Sequence, residues 1–150
     1  KGDVILMMDT DFSHSPEQVS ELVRLADDAG ASNGSRFTKG GRFIAQLYRQ
    51  LGTYFIQLFA RIILWVPVTD FTNGFVAVKA EHFRKLNLDK VFFGYGDYCI
   101  RLFYYLHSTG VRIAEIPSTY KPRVSGKSKT NEIRTALSYI LKVIRLRLGF

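Results

Sequence analysis

Cysteine is almost absent from this chain. Cys99 stands alone among 150 residues, so no disulfide can form within it, and a reducing compartment suits it. No run reaches the roughly 18 consecutive apolar residues that a membrane-spanning helix needs. Acids are missing from two long stretches: none lies between Asp28 and Asp70, and after Glu115 the only one is Glu132. The Gly-x-x-x-x-Gly-Lys spacing of a P-loop is missing too. Neither His82 nor His107 has a partner at metal-ligand spacing, so both are expected at the surface.

What remains is a basic, moderately apolar chain. Its hydrophobic content of 47% excludes wholesale disorder, and its length suits one domain. The net charge of +8 implies an anionic partner: nucleotide, nucleic acid or membrane surface. Arg36, Lys39, Arg42, Arg49 and Arg61 fill the first acid-free stretch. Lys121, Arg123, Lys127, Lys129, Arg134, Lys142, Arg145 and Arg147 fill the second. Such asymmetry implies one face that meets anions.

The acids that are present concentrate early, and two of them organise the chain. Val4 to Met8 is an apolar run leading into Asp9-Thr10-Asp11. The run reads as a buried parallel strand. Asp9 and Asp11 would then project to one side at its carboxyl end, where open α/β sheets bind ligands. Two close carboxylates repel unless a cation sits between them, and a hard divalent ion bridging to phosphate oxygens fits that need.

Farther along, Ser15-Pro16-Glu17 has the form of a capped helix start, and Val19, Leu22, Val23 and Ala26 carry the helix to Gly30. Ala31 to Phe37 reads as a short strand into the turn Gly34-Ser35-Arg36, with Gly40-Gly41 as a breaker. A long helix is expected over about 42–66. Its Ile44, Leu47, Tyr48, Leu51, Tyr54, Phe55, Leu58, Phe59 and Ile62 form an aromatic-rich stripe, and Arg42, Gln46, Arg49, Gln50, Thr53, Gln57 and Arg61 lie opposite. Packing on the sheet is one use for that stripe; lying in a bilayer interface is the other, which its width and flanking arginines favour.

Pro67 ends this helix. Asp70-Phe71-Thr72-Asn73-Gly74 then forms a polar loop before a strand at Phe75 to Val78, followed by a short helix over 80–86. Phe92-Phe93-Gly94-Tyr95-Gly96-Asp97 opens a helix through His107, and strands are expected at 111–115 and 118–122. Arg123 to Thr130 is a basic loop with glycine and serines, suited to cradling phosphate. A last basic amphipathic helix runs over about 131–148.

Four segments occur together in a familiar order: Asp9 to Glu17, Gly34-Ser35-Arg36 with Lys39-Gly40-Gly41, Asp70 to Phe75, and Arg123 to Lys129. In these the chain resembles the polyprenyl-phosphate (dolichol-phosphate) hexosyltransferases. The resemblance implies an α/β fold of the GT-A (Rossmann-like) type, a mixed, mostly parallel sheet flanked by helices, with amphipathic interface helices. It also implies transfer of a hexose, mannose or glucose, with inversion, from a GDP-mannose or UDP-glucose type of donor to a polyprenyl or dolichyl phosphate. The chemistry would take place at the cytoplasmic face of a membrane, with no nucleic acid involved.

Residue by residue, the resemblance implies that Asp9 and Asp11 hold Mg²⁺ or Mn²⁺ against the donor diphosphate. Arg36 would lie near the acceptor phosphate and Asp70 on the acceptor side. Arg123, Ser128 and Lys129 would close over the phosphates. Residues 1–150 would be the C-terminal part of one catalytic domain, its nucleotide-binding half preceding Lys1, and alone would have little activity.

The second pKa of a phosphate monoester lies near 6, so a lipid phosphate is already an anion at neutral pH and needs little general-base help. That agrees with a sequence offering cations and carboxylates but no convincing catalytic histidine. Two rivals remain. An apolar strand followed by Asp-x-Asp-x-Ser also opens haloacid dehalogenase-type phosphatases, but their later Gly-Asp wants an acid four residues on, and Arg101 follows Gly96-Asp97. A basic membrane-binding module without catalysis would leave Asp9 and Asp11 unexplained.

Overall fold

The computed structural model describes residues 2–11, 13–94, 96–120 and 132–149. Strand β1 (Val4–Met7) leads through the Asp9–Asp11 turn into helix α1 (Val19–Ala29) and strand β2 (Gly30–Ser35). A two-residue strand β3 (Arg42–Phe43) precedes the long helix α2 (Leu47–Leu64). After the polar loop come β4 (Val76–Lys79), the short helices α3 (Ala80–Phe83) and α4 (Leu88–Val91), and α5 (Tyr98–Ser108). Strands β5 (Arg112–Pro117) and β6 (Thr119–Tyr120) and helix α6 (Glu132–Leu148) complete the described chain.

The expected α/β architecture with a mixed sheet is present. Four strands run in the order β1-β4-β2-β5, and β3 and β6 form a separate parallel pair. Within the larger sheet β2 pairs parallel with β5, whereas β4 runs antiparallel to both β1 and β2. Strand β1 is therefore a half-buried edge strand of this sheet, paired antiparallel, rather than a buried parallel one. Its apolar run arises because both faces are covered: Val4 and Met8 pack toward the Leu22–Ala26 face of α1, Met7 toward the larger core on the other side. Hydrophobic runs report covered faces, not the direction of the neighbouring strand.

Strand β2 is the least apolar and the most enclosed, every residue of its Gly-Ala-Ser-Asn-Gly-Ser run being buried. Small side chains let α1 approach closely, and Ser32 donates to Leu22 O at 2.6 Å. At Gly34 a Cβ would fall 2.6 Å from the Phe75 ring, so only glycine fits. The main core lies on the opposite face, where Phe71 and Phe103 meet edge to face at 6.1 Å among Val76, Val78, Leu102 and Leu106. Full burial of side chains of this size contributes about 1.5–3 kcal/mol each.

The long helix departs from expectation at both ends. Arg42 and Phe43 are strand, paired with Thr119 and Tyr120, and the helix starts only at Leu47. It stops at Leu64, where Trp65 turns left-handed (φ 59°) ahead of Pro67. Its apolar stripe is not packed on the sheet. Ile56, Gln57, Ala60 and Leu64 face inward, while Leu47, Tyr48, Leu51, Tyr54, Phe55, Leu58 and Ile62 are exposed. Helix α6 packs against α2 and does the same, burying Val143 and Leu146 and exposing Leu137, Leu141, Ile144 and Leu148. Among the described residues no helix is long and apolar enough to cross a membrane.

Candidate active site

The end of β1 delivers Asp9 to a cleft of about 700 Å³. Its near wall is Asp9 with Thr72, Asn73 and Gly74 of the polar loop, and its far wall is α6, through Arg134, Thr135, Ser138, Tyr139 and Lys142. Gly96 and Tyr98 line it as well. The Asp9 side chain is 58% exposed, and Asp11 is half-buried, one oxygen accepting the Ser13 N–H at 3.1 Å. The turn then passes into a short 3-10 segment, Pro16–Gln18, where Ser15 donates to the Glu17 carboxylate instead of capping the helix.

Three neighbours crowd Asp9. His14, its side chain fully buried, stacks on Phe75 at 5.1 Å and brings Nε2 to 3.7 Å from Asp9 Oδ2. Gly74 has φ 76°, and a Cβ there would stand 3.5 Å from Asp9 Oδ2 and 3.6 Å from the Tyr98 hydroxyl. Tyr98 is held in its protonated form: burial, then the adjacent Cys99 and the charge of Asp9, raise its pKa well above the usual 10. It therefore stands at the cleft as a neutral phenol. Cys99 is no nucleophile, because burial pushes its thiol up to about 12.

Arg36 and Asp70, separate candidates in the sequence, form one buried unit. Arg36 Nε and Nη2 donate to the two Asp70 oxygens at 2.7 and 2.8 Å, and Arg36 N adds a third bond at 3.0 Å. The guanidinium also lies over the rings of Phe43 (4.8 Å), Phe37 and Tyr120. This is why Arg42 and Phe43 are strand: the β3–β6 pair builds an aromatic box for Arg36. Gly41 is required beside it, since a Cβ would fall 2.4 Å from Ser35 O.

The unit continues into residues that sequence patterning hides. Arg36 Nη2 also donates to Thr72 Oγ1 at 2.8 Å, and so does Gln57 Nε2 at 2.8 Å, while Gln57 Oε1 accepts the Phe71 N–H at 2.7 Å. Glu115 accepts from Thr69 N, Thr69 Oγ1 and Asn33 Nδ2. Asn33 also donates to Asp70 O, and Asn73 to Gly34 O. The loop from Thr69 to Asn73 is thus held from α2, β2 and β5. By spacing Gln57 falls on the polar face opposite the stripe; its signal is an uncharged polar residue beside Ile56 and Ala60, which face inward.

Asp97 is buried with Arg101, whose Nη1 bonds its Oδ2, and Lys142 Nζ stands 3.0 Å from Oδ1. Arg101 also donates to Val91 O and Phe93 O. An aspartate so neutralised anchors α6 rather than serving a phosphatase centre. Arg123, Ser128 and Lys129 lie outside the described residues. The described residues hold no group of three or more His, Cys, Asp or Glu side chains suited to a metal ion. Asp9 and Asp11 do fit a hard ion that keeps waters and phosphate oxygens in its other positions, since both are oxygen donors and Asp9 is open to the cleft.

No family model matches the chain. It is 32% identical to an undecaprenyl-phosphate mannosyltransferase of Micrococcus luteus over 98% of its own length and 65% of that protein's. It is 34% identical to a polyprenol monophosphomannose synthase of Mycolicibacterium smegmatis, covering 89% of the chain and 52% of the relative. It is 28% identical to a dolichol-phosphate mannosyltransferase of Pyrococcus furiosus, over 97% and 41% respectively. The chain thus spans 41–65% of the length of these curated relatives.

Proposed function

From a chain that is a relative of the polyprenyl-phosphate hexosyltransferases, we propose that the protein contributes to mannosyl transfer from a nucleotide-sugar to a polyprenyl phosphate at a membrane surface. The observation that carries this reading is the double use of α6. One side, Arg134, Ser138 and Lys142, walls the cleft; the other, Leu137, Leu141, Ile144 and Leu148, is exposed and apolar beside the exposed face of α2. A lipid phosphate needs such a neighbourhood, with polar groups for its head and an apolar surface at the level of its tail.

The proposed reaction is a single displacement at the anomeric carbon, which inverts it. The acceptor oxygen is already anionic at neutral pH, so the work of the site is charge neutralisation and alignment. Arg134, with the positive charge that Arg101 and Lys142 leave in excess of Asp97, offsets the charge of two anionic substrates, and Tyr98 donates from a neutral hydroxyl beside Asp9. Asp9 and Asp11 would hold Mg²⁺ or Mn²⁺, which when bound neutralises the departing nucleoside diphosphate. The roles given by resemblance to Arg123, Ser128 and Lys129 on the phosphates belong to this same reading. The exposed faces of α2 and α6 lie in the bilayer interface, and the lone Cys99 suits its cytoplasmic side.

The test is glycolipid formation by the full-length protein with polyprenyl phosphate, offered GDP-mannose or UDP-glucose, with Mn²⁺ or chelator. Metal-dependent mannolipid lost in Asp11→Asn supports the reading. Glucolipid instead changes the donor. Phosphate release without transfer, or vesicle binding with neither, overturns it in favour of a phosphatase or a membrane module.

A further inference from the structure

Two donors converge on Thr72. Arg36 Nη2 and Gln57 Nε2 each stand 2.8 Å from its Oγ1. The Gln57 amide has no choice of orientation: the Phe71 backbone N–H, which can only donate, meets Oε1 at 2.7 Å, so the NH₂ end must face Thr72. A hydroxyl has two lone pairs and one proton. With both lone pairs taken, Thr72 is left as an obligate donor, and among the described residues its proton has no acceptor.

Thr72 is half-buried and lines the cleft together with Asp9, Asn73 and Gly74. Arg36, 8% exposed, is buried behind it. Donation from a guanidinium polarises the hydroxyl and strengthens its own donation, which favours an anionic acceptor. The facing wall carries Arg134 and Lys142, which favour the same ligand charge.

We propose that the Thr72 hydroxyl donates a hydrogen bond to a phosphate oxygen of a substrate, and that Arg36 and Gln57 act through it as positioning residues. The proposal deepens the mannosyl-transfer reading and rests on it for the identity of the phosphate, which is either the donor's diphosphate or the acceptor's monophosphate. Asp70 completes the arrangement. It fixes the Arg36 fork in the one orientation that sends Nη2 to Thr72, and it accepts the Thr72 N–H at 3.2 Å.

Three variants of the full-length protein separate the proton from the scaffold. Thr72→Val removes the proton at nearly constant shape, and Thr72→Ser keeps it. Gln57→Glu leaves Thr72 in place but turns its proton inward: one new carboxylate oxygen takes the Phe71 N–H, and the other accepts from the threonine. The readouts are KM for nucleotide-mannose and for polyprenyl phosphate, measured separately, calorimetric binding of inorganic pyrophosphate and phosphate, and Tm.

Thr72→Val and Gln57→Glu should raise one of the two KM values about tenfold or more, as expected for loss of a hydrogen bond to a charged group, with Thr72→Ser close to wild type. The substrate whose KM moves identifies the phosphate. Unchanged KM and anion binding in Thr72→Val or Gln57→Glu overturns the proposal. So does a Thr72→Ser variant that loses as much as Thr72→Val with a matching fall in Tm. A wild type that binds pyrophosphate or phosphate but transfers no mannose sinks the transfer reading alone, and calorimetry on the variants then decides the role of Thr72. A wild type that neither transfers nor binds either anion overturns both.

Discussion

Arg36 and Asp70 share two parallel side-chain hydrogen bonds of 2.7 and 2.8 Å in a setting where the aspartate is fully buried. A planar fork meeting a carboxylate is the ion-pair geometry with the most to lose from a change on either side. Asp70→Asn leaves a buried guanidinium without its counter-charge and should destabilise the protein by about 3–5 kcal/mol. Thermal or denaturant unfolding checks this; an unchanged midpoint would mean the pair is not closed in solution. Arg36→Lys, which cannot make the fork, should also lower the midpoint.

Asp9 contrasts with that pair. Its side chain is largely exposed at the cleft, so Asp9→Asn should leave Tm nearly unchanged while mannosyl transfer falls about 100-fold or more. A variant that keeps activity would remove Asp9 from the chemistry. One that loses activity together with stability would show the loss to be structural.

Gly74→Ala tests how tightly the loop is drawn around that carboxylate. The residue has φ 76°, which costs an L side chain about 1–2 kcal/mol, and the added methyl would meet both Asp9 and the Tyr98 hydroxyl. A small fall in Tm with a larger fall in transfer is expected. Equal effects on both would mean the methyl does not reach the site.

The apolar surface makes a separate prediction. Leu51, Phe55 and Leu141 are more than half exposed, so Leu51→Glu with Phe55→Glu, or Leu141→Glu, should change stability by no more than about 0.5 kcal/mol. Sedimentation with anionic vesicles should nevertheless drop sharply. Unaltered vesicle binding would assign this surface to a protein partner instead.

Cys99 gives a pH-dependent expectation. Its thiol pKa is raised to about 12 by burial, above its value in the unfolded chain. The group therefore contributes stability that is fully present below about pH 8.5 and is lost as pH rises toward 12. At pH 8 a thiol reagent should leave the native protein unmodified and react fully once it is denatured. Rapid native labelling would contradict the burial.

Much of this protein follows from local pattern. The helix–strand alternation, the position of Asp9 and Asp11 after an apolar strand, the amphipathic character of α2 and α6 and the basic bias all depend on residue type and spacing, which sequence displays directly. Other features required the folded chain. An apolar run cannot say whether its neighbour is parallel, and β1 is an edge strand paired antiparallel with β4. An apolar stripe cannot say whether it meets core or solvent, and α2 turns its wide stripe outward while its narrow face of Ile56, Gln57, Ala60 and Leu64 is the buried one. The pairing of Arg36 with Asp70, 34 residues apart, and the convergence of Arg36 and Gln57 on Thr72 come from three elements meeting in space. Hydrogen-bond complementarity between distant residues has no periodicity, so only the tertiary structure could decide it.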